Sequence, residues 1–182
     1  EVATCTAQST SGPPDEVVRQ ILRRLLEWDF VSVRGTHRYN VITGSGVSEL
    51  LAGYIPADAT KALLVVPDAL ANQASHIESI LRGAGLEVHV FAHRDGETAK
   101  NLETLSRAWD MLGKARIGRR DLVVTFGGGV STDLGGFVAA TWLRGIPVIH
   151  LPTTLLAMVD ASIGGKTGID TPAGKNLVGA FY

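Results

Sequence analysis

Three stretches of this 182-residue chain put ionisable side chains beside glycines. They are Asp95-Gly96-Glu97-Thr98-Ala99-Lys100, Gly127-Gly128-Gly129-Val130-Ser131-Thr132-Asp133, and a segment from Asp160 through Gly164-Gly165-Lys166 to Gly174-Lys175-Asn176. Glycine lacks a Cβ, so backbone amides can approach an anion and positive φ is cheap. A helix that begins there adds partial positive charge. The chemistry this suits is recognition of a phosphorylated, hydroxylated ligand.

Gly127 and Gly129 fit the first two positions of the dinucleotide fingerprint G-x-G-x-x-G, but Thr132 stands where the third glycine belongs. The turn reads either as a tight turn without a ligand or as an anion loop. Gly135 and Gly136 suit close packing of the following helix on a sheet. Asp133 could bond a ribose or nicotinamide group. Glu97 reads as ordinary helix capping or as a partner for ribose hydroxyls. Gly164 to Gly168 invites a P-loop reading, but Asp160 occupies the place of its first glycine and the residues before it read as helix. Lys166 is then a solvated turn lysine or a partner for an anionic substrate. Lys175 beside Asn176 reads as a polar turn.

The histidines offer little. His89 and His93 are four apart, but on a strand; His150 ends a buried strand and reads as a satisfied core histidine. No three or four metal ligands converge.

The elements that must position these residues alternate. "KALLVVP", "DLVVTF" and "IPVIHLP" are apolar without alternation, which predicts buried parallel strands. "LEVHVFAH" is a further strand. "SGVSELLAGYI" predicts a short helix, "ANQASHIESILRGAG" an amphipathic helix ending at glycine, and "TAKNLETLSRAWDMLGKA" a longer one. "STDLGGFVAATWLRG" is helical between two strands. "FVSVRGTHRYNVITG" predicts a hairpin around Arg34-Gly35-Thr36. Pro13-Pro14-Asp15 opens an N-terminal helix with Val17, Val18, Ile21, Leu22, Leu25 and Leu26 on one face.

The predicted class is α/β: a Rossmann-like, mostly parallel sheet with helices on both faces, an N-terminal hairpin and an appended helix. Ligands bind at the C-terminal ends of such strands. The turns after Val66, His93 and Phe126 are therefore the ones to watch.

Composition narrows the class. The formal net charge is −1 and Cys5 is the lone cysteine. These argue against a nucleic-acid partner and a disulfide framework. No apolar run approaches the roughly 20 residues of a membrane helix. The expectation is a cytoplasmic protein without a membrane partner.

Taken together, "DGETAK", "GGGVSTD", "AATWLRG", "PTTLLAMVDASIGGKTGI" and "GKNLVGAF", in that order, resemble the 3-dehydroquinate synthase family across residues 31–182. The resemblance implies enzyme-bound NAD, a divalent metal (zinc or cobalt), a phosphorylated seven-carbon keto acid as substrate and a homodimer. It implies cofactor contacts for Asp68, Asp95, Glu97 and Lys100 on the adenosine side, and for Gly128, Gly129, Val130 and Asp133 on the pyrophosphate and nicotinamide side. Thr153, Thr154, Leu156 and Lys175 would also contact the cofactor. Asp160, Lys166 and Asn176 would face the substrate, and Arg144 would reach its phosphate across the dimer interface. The metal ligands would lie beyond Tyr182, in a C-terminal domain.

Residues 1–28 resemble the end of a shikimate kinase, which implies a kinase–synthase fusion with the NAD-binding domain at 29–182. Other expectations for the chain are a different sugar-phosphate cyclase or a non-catalytic nucleotide-binding module.

Overall fold

A computed structural model describes residues 29–34 and 38–182. The helix expected within 1–28 and the turn expected at 35–37 lie outside the described residues. The chain divides into two units, Glu1–Glu49 and Leu50–Tyr182.

In the first unit, β1 (Asp29–Arg34) and β2 (Arg38–Thr43) pair antiparallel, from Asp29↔Thr43 to Arg34↔Arg38. These are the expected hairpin strands. Across them the Ser32 hydroxyl donates to Asn40 Oδ1 at 2.9 Å.

The second unit is built on a four-stranded parallel sheet. Its strands are β3 (Lys61–Pro67), β4 (Glu87–His93), β5 (Leu122–Gly127) and β6 (Val148–Pro152), in the spatial order β4-β3-β5-β6. β3 and β5 are central and covered on both faces, which is why they read as unbroken apolar runs. β4 and β6 are the edge strands: β4 buries Val88 on one face and Phe91 on the other, and β6 is half-buried throughout, short of the buried strand its apolar run predicts.

Helices cover both faces. α1 (Ala71–Gly83) turns Ala74, Ile77 and Leu81 onto the face that carries Ala62, Leu64, Val66, Leu122 and Val124. The opposite face, with Leu63, Val65 and Val123, takes α2 (Leu102–Ala115) and α3 (Gly129–Thr141). α2 starts later than the sequence pattern predicts. Residues 97–99 form a separate 3-10 turn, and Asn101 caps α2 by accepting the Thr104 N–H at 2.9 Å. The helix expected near 47–54 is likewise a 3-10 helix.

α3 is buried nearly all round, because β7 (Lys166–Thr171) and β8 (Gly174–Phe181) form an antiparallel hairpin beside it. The close-packing expectation for its two glycines holds, with one addition. A Cβ on Gly135 would collide with Thr125 of the sheet, and one on Gly136 with Thr167 of β7. The paired glycines thus let one helix sit tightly between two layers.

The helical pattern through "TWLRG" breaks at its end. Leu143, Arg144 and Gly145 all have positive φ, at 50°, 67° and 118°. The stretch "TTLLAMVDASI", read as helix, is helical over residues 155–161 only, and widens to a π-helical turn at Ala157–Ala161. Lys166 opens a strand and no helix follows it, so the P-loop reading fails on structural grounds as well as on spelling. Lys175 and Asn176 belong to β8, which corrects the polar-turn expectation.

Candidate active site

The three turns singled out in the sequence lie side by side at the C-terminal edge of the sheet. Pro67 of β3 is in register with His93 of β4, and β5 ends alongside at Gly127. The Ala69 N–H donates to Asp95 Oδ1 at 3.2 Å, tying the turn after β3 to the turn after β4. The Thr153 N–H donates to the Gly127 carbonyl at 2.9 Å, tying in the segment after β6.

The glycines are needed here for space rather than for unusual dihedrals. Gly127, Gly128 and Gly129 are absent from the positive-φ positions, against the expectation. A Cβ on Gly127 would overlap the Ser131 side chain and reach Pro67 Cδ at 3.0 Å, and one on Gly128 would come within 3.2 Å of Thr154 Cγ2. α3 starts from Gly128, and its internal bonding begins with the Thr132 N–H donating to the Gly128 carbonyl at 3.1 Å. The first-turn amides of Gly129 and Val130 have no intrahelical acceptor and point off the helix end. These residues are only partly buried, so an anion can reach them. The cradle fits a pyrophosphate.

Behind the turn sits a buried lysine. Lys100 is 3% exposed, and its Nζ donates to Asp133 Oδ2 at 2.9 Å. Glu97 Oε1 is 3.2 Å away and Asp170 Oδ1 is 3.9 Å away. Burial alone would pull the lysine pKa down, but Asp133 and Glu97 outweigh it and hold it above its ordinary value. Asp133 is held above the usual carboxylate value. Burial is the main cause, Lys100 opposes it, and the charges of Glu97 and Asp160 add to it. Three carboxylates around one ammonium leave the group net negative.

The outer charges continue this cluster. Lys175 Nζ lies 3.8 Å from Glu97 Oε1. Lys166 is exposed and donates to Asp160 Oδ1 at 2.7 Å. Asn176 adopts φ 55°, and its N–H donates to Asp170 Oδ1 at 2.8 Å. The Asp170 N–H in turn donates to the Lys100 carbonyl at 2.8 Å, which fastens β7 to the buried lysine.

The structure therefore gathers Asp68, Asp95, Glu97, Lys100, Gly128, Gly129, Val130, Asp133, Thr153, Thr154, Asp160, Lys166, Lys175 and Asn176 along one edge of the second unit. Leu156 is on the same segment as Thr154 and is 68% exposed. Arg144 is not in the cluster. It lies just past the C-terminal end of α3, whose 13 residues put about 20 Å between the glycine turn and that end.

Sequence reasoning missed Asp170 and Ser131, and weighed His93 only as half of a histidine pair. The turn Thr171-Pro172-Ala173-Gly174 between two mixed runs was the available hairpin signal for Asp170. Nothing local marks the other two. His150 is a partnered histidine, as expected: its Nδ1 lies 2.8 Å from Thr125 Oγ1, and burial pushes its pKa down to about 4. Among the described residues no group of three or more His, Cys, Asp or Glu side chains could hold a metal ion. The residues present fit a dinucleotide and do not fit a metal.

The chain has relatives among known proteins. Residues 90–182 match the family model described as 3-dehydroquinate synthase N-terminal. The chain is 49% identical over 156 residues to a 3-dehydroquinate synthase of Corynebacterium efficiens, and 49% identical over 144 residues to one of Mycobacterium leprae. It covers 43% and 40% of those two proteins, so it spans less than half of their length. A solved 2-deoxy-scyllo-inosose synthase, complexed with carbaglucose-6-phosphate, NAD+ and Co2+, superposes with a TM-score of 0.77 at 28% identity, over 85% of this chain and 42% of that one. A 2-epi-5-epi-valiolone synthase from Streptomyces hygroscopicus with NAD+ and Zn2+ gives 0.72 at 29%, over 84% and 42%. The matched residues 90–182 are just over half of the chain and carry the cluster from Glu97 to Asn176, so the chain belongs to the 3-dehydroquinate synthase N-terminal family.

Proposed function

We propose that the intact protein is a 3-dehydroquinate synthase and that residues 29–182 supply the NAD-binding side of its active site. It converts 3-deoxy-D-arabino-heptulosonate 7-phosphate to 3-dehydroquinate with loss of phosphate, a step toward aromatic amino acids. The observation that carries this reading is the buried Lys100 paired with the half-buried Asp133, the fifth residue of the helix that the glycine turn opens. That arrangement occurs in a chain 49% identical to named synthases over most of its length.

NAD, when held by these residues, would supply reversible hydride acceptance and so would not be consumed. The chain's own residues bind and orient. The amides of Gly129 and Val130 receive the pyrophosphate, with Thr153 and Thr154 beside them. Asp68, Asp95 and Glu97 accept hydrogen bonds from ribose hydroxyls. Lys100 holds one oxygen of Asp133 and leaves the other to face the nicotinamide side. Lys175, paired to Glu97, completes the cofactor rim with Leu156.

Lys166, Asp160 and Asn176 face the substrate. The exposed Lys166 ammonium suits an anionic group, and Asp160 keeps it charged and aimed: the hydrogen bond and charge of Asp160 raise its pKa. Arg144, at the far end of α3, serves the phosphate of a second subunit's substrate in a homodimer. A divalent metal belongs to the reading, with ligands outside the described residues. Residues 1–28 are the proposed end of a kinase domain joined upstream.

NAD titration of the intact protein, followed by phosphate release from the seven-carbon substrate, tests the assignment. We expect NAD binding and phosphate release without net NADH. Release from a hexose phosphate instead would move the protein to the inosose-type cyclases, and an absence of NAD binding would leave a non-catalytic module.

A further inference from the structure

His93 and Ser131 are 2% and 1% exposed, and the charges of Asp68 and Asp95 act on the imidazole from the neighbouring turns. His93 Nε2 lies 2.9 Å from Ser131 Oγ, and His93 Nδ1 lies 2.8 Å from the Arg94 carbonyl oxygen. A carbonyl oxygen only accepts, so Nδ1 carries the proton. In the neutral ring Nε2 is then the acceptor, and the Ser131 hydroxyl donates to it.

The pair spans a gap in the sheet. β4, which carries His93, is separated from β5 by β3. The imidazole therefore reaches past the end of β3 to α3. Its target sits directly under the glycine turn: a Cβ on Gly127 would overlap Ser131 Oγ and lie 3.0 Å from Pro67 Cδ. One end of the bridge adjoins the turn carrying Asp95 and Glu97. The other is the third residue of the helix whose first amides lack an intrahelical acceptor.

We propose that His93 is a positioning residue: as the Nδ1–H tautomer it holds the Ser131 hydroxyl beneath Gly127, and so fixes the spacing between the ribose-side turn and the phosphate-side turn. This rests on the NAD reading above. A dinucleotide must engage both turns at once, so their relative placement sets affinity even though neither side chain touches the ligand. A residue that merely filled space would be replaced without loss by an apolar side chain. A brace would not, because the bond itself sets the register of the first turn of α3.

The test uses the intact protein with His93→Leu, His93→Gln and Ser131→Ala. NAD affinity should fall about tenfold in His93→Leu and in Ser131→Ala, the effect of one buried hydrogen bond. The double variant should be no weaker than either single one, because both remove the same bond. His93→Gln offers a carbonyl oxygen to Ser131 and should recover most of the affinity. Without any ligand, hydrogen exchange of the Thr132 amide, which donates to the Gly128 carbonyl in the first bond of α3, should quicken in His93→Leu and Ser131→Ala and stay slow in His93→Gln. Unchanged exchange in His93→Leu would overturn the brace whatever NAD does. Quickened exchange with no NAD binding by the unaltered protein would support the brace and sink the cofactor reading instead. NAD binding by the unaltered protein that is equal in His93→Leu would overturn the positioning role alone.

Discussion

The two ends of the parallel sheet each hold an acidic group, buried at one end and half-buried at the other, and they treat it in opposite ways. At the N-terminal end, Asp121 is 6% exposed and takes four donors. Oδ1 accepts the N–H groups of Thr60 and Lys61, both at 2.9 Å, and the Thr60 hydroxyl at 3.2 Å; Oδ2 accepts the Gly118 N–H at 2.7 Å. Burial alone would raise its pKa, but these bonds reverse that and hold the carboxyl below its ordinary value. At the C-terminal end, Asp133 shares one lysine with two other carboxylates and is held above that value. Rigid backbone donors satisfy a carboxylate completely and make a structural clamp. A lone ammonium among several carboxylates leaves surplus charge and free acceptor capacity, which is what a ligand site requires.

The sharpest way to break this contrast is Lys100→Met. It strands Glu97, Asp133 and Asp170 without their shared cation. Removing one partner of a buried pair costs about 3–5 kcal/mol, and proton uptake by Asp133 should bring the loss to the lower end. NAD affinity should fall roughly a hundredfold as the orientation of Asp133 is lost, the weight of about two hydrogen bonds. Urea unfolding and NAD titration measure the two effects. Full NAD affinity in a destabilised variant would make Lys100 purely structural.

Asp121→Ala probes the other end. It orphans three backbone N–H groups, of which water can reach some, for a loss of about 3 kcal/mol. NAD affinity of the folded fraction should not move. Weakened affinity here would mean that the two ends are coupled and the contrast is false.

The ends should also respond to opposite extremes of pH. Lys100 has a raised pKa, so its contribution is complete below the ordinary lysine value of 10.5 and is lost as pH climbs through the folded value. Asp121 has a lowered pKa, so its contribution is complete above 3.8 and is lost as pH falls through the folded value. His150 erodes stability earlier on the acid side. The unfolded chain takes a proton near 6.5 while the folded ring waits until about 4, so that window should cost on the order of 3 kcal/mol. Melting temperature against pH checks this. His150→Gln should flatten the curve between those two values and leave the alkaline limb alone.

The sheet was readable because its central strands are buried on both faces, and such strands announce themselves as apolar runs. The glycine turn was readable for a related reason: only close approach of backbone and side chains explains three glycines between a strand and a helix. The sequence misled on why, since positive φ is not used there. The hairpin of β7 and β8 was missed because its residues are glycine-rich and do not alternate. The pairing of Lys100 with Asp133, 33 residues apart, and of Asp121 with Thr60, 61 apart, depends on which strands are neighbours. Spacing along the chain carries no record of that order. The partner of His93 was invisible for the same reason: Ser131 follows β5, two strands away.

The smallest expected effect is also the most discriminating. Asp170 stands 3.9 Å from Lys100 Nζ, the longest of the three carboxylate contacts, yet its backbone N–H and its Oδ1 fasten β7 and Asn176 into place. Asp170→Asn keeps an acceptor for the Asn176 N–H and removes only the charge. If Asp170 acts through its hydrogen bonds, stability should change by less than about 1 kcal/mol and NAD affinity should be unaltered, because a partly screened charge at that distance contributes little. If it acts through charge, the lysine is left with two carboxylates instead of three. The surplus negative charge at the site shrinks, and the carboxyl titration of Asp133, followed by carbon NMR, should move toward lower pH. An unmoved Asp133 titration together with an intact site would assign Asp170 to the scaffold. It would also narrow the ligand-facing charge at this end of the sheet to Lys100, Glu97 and Asp133.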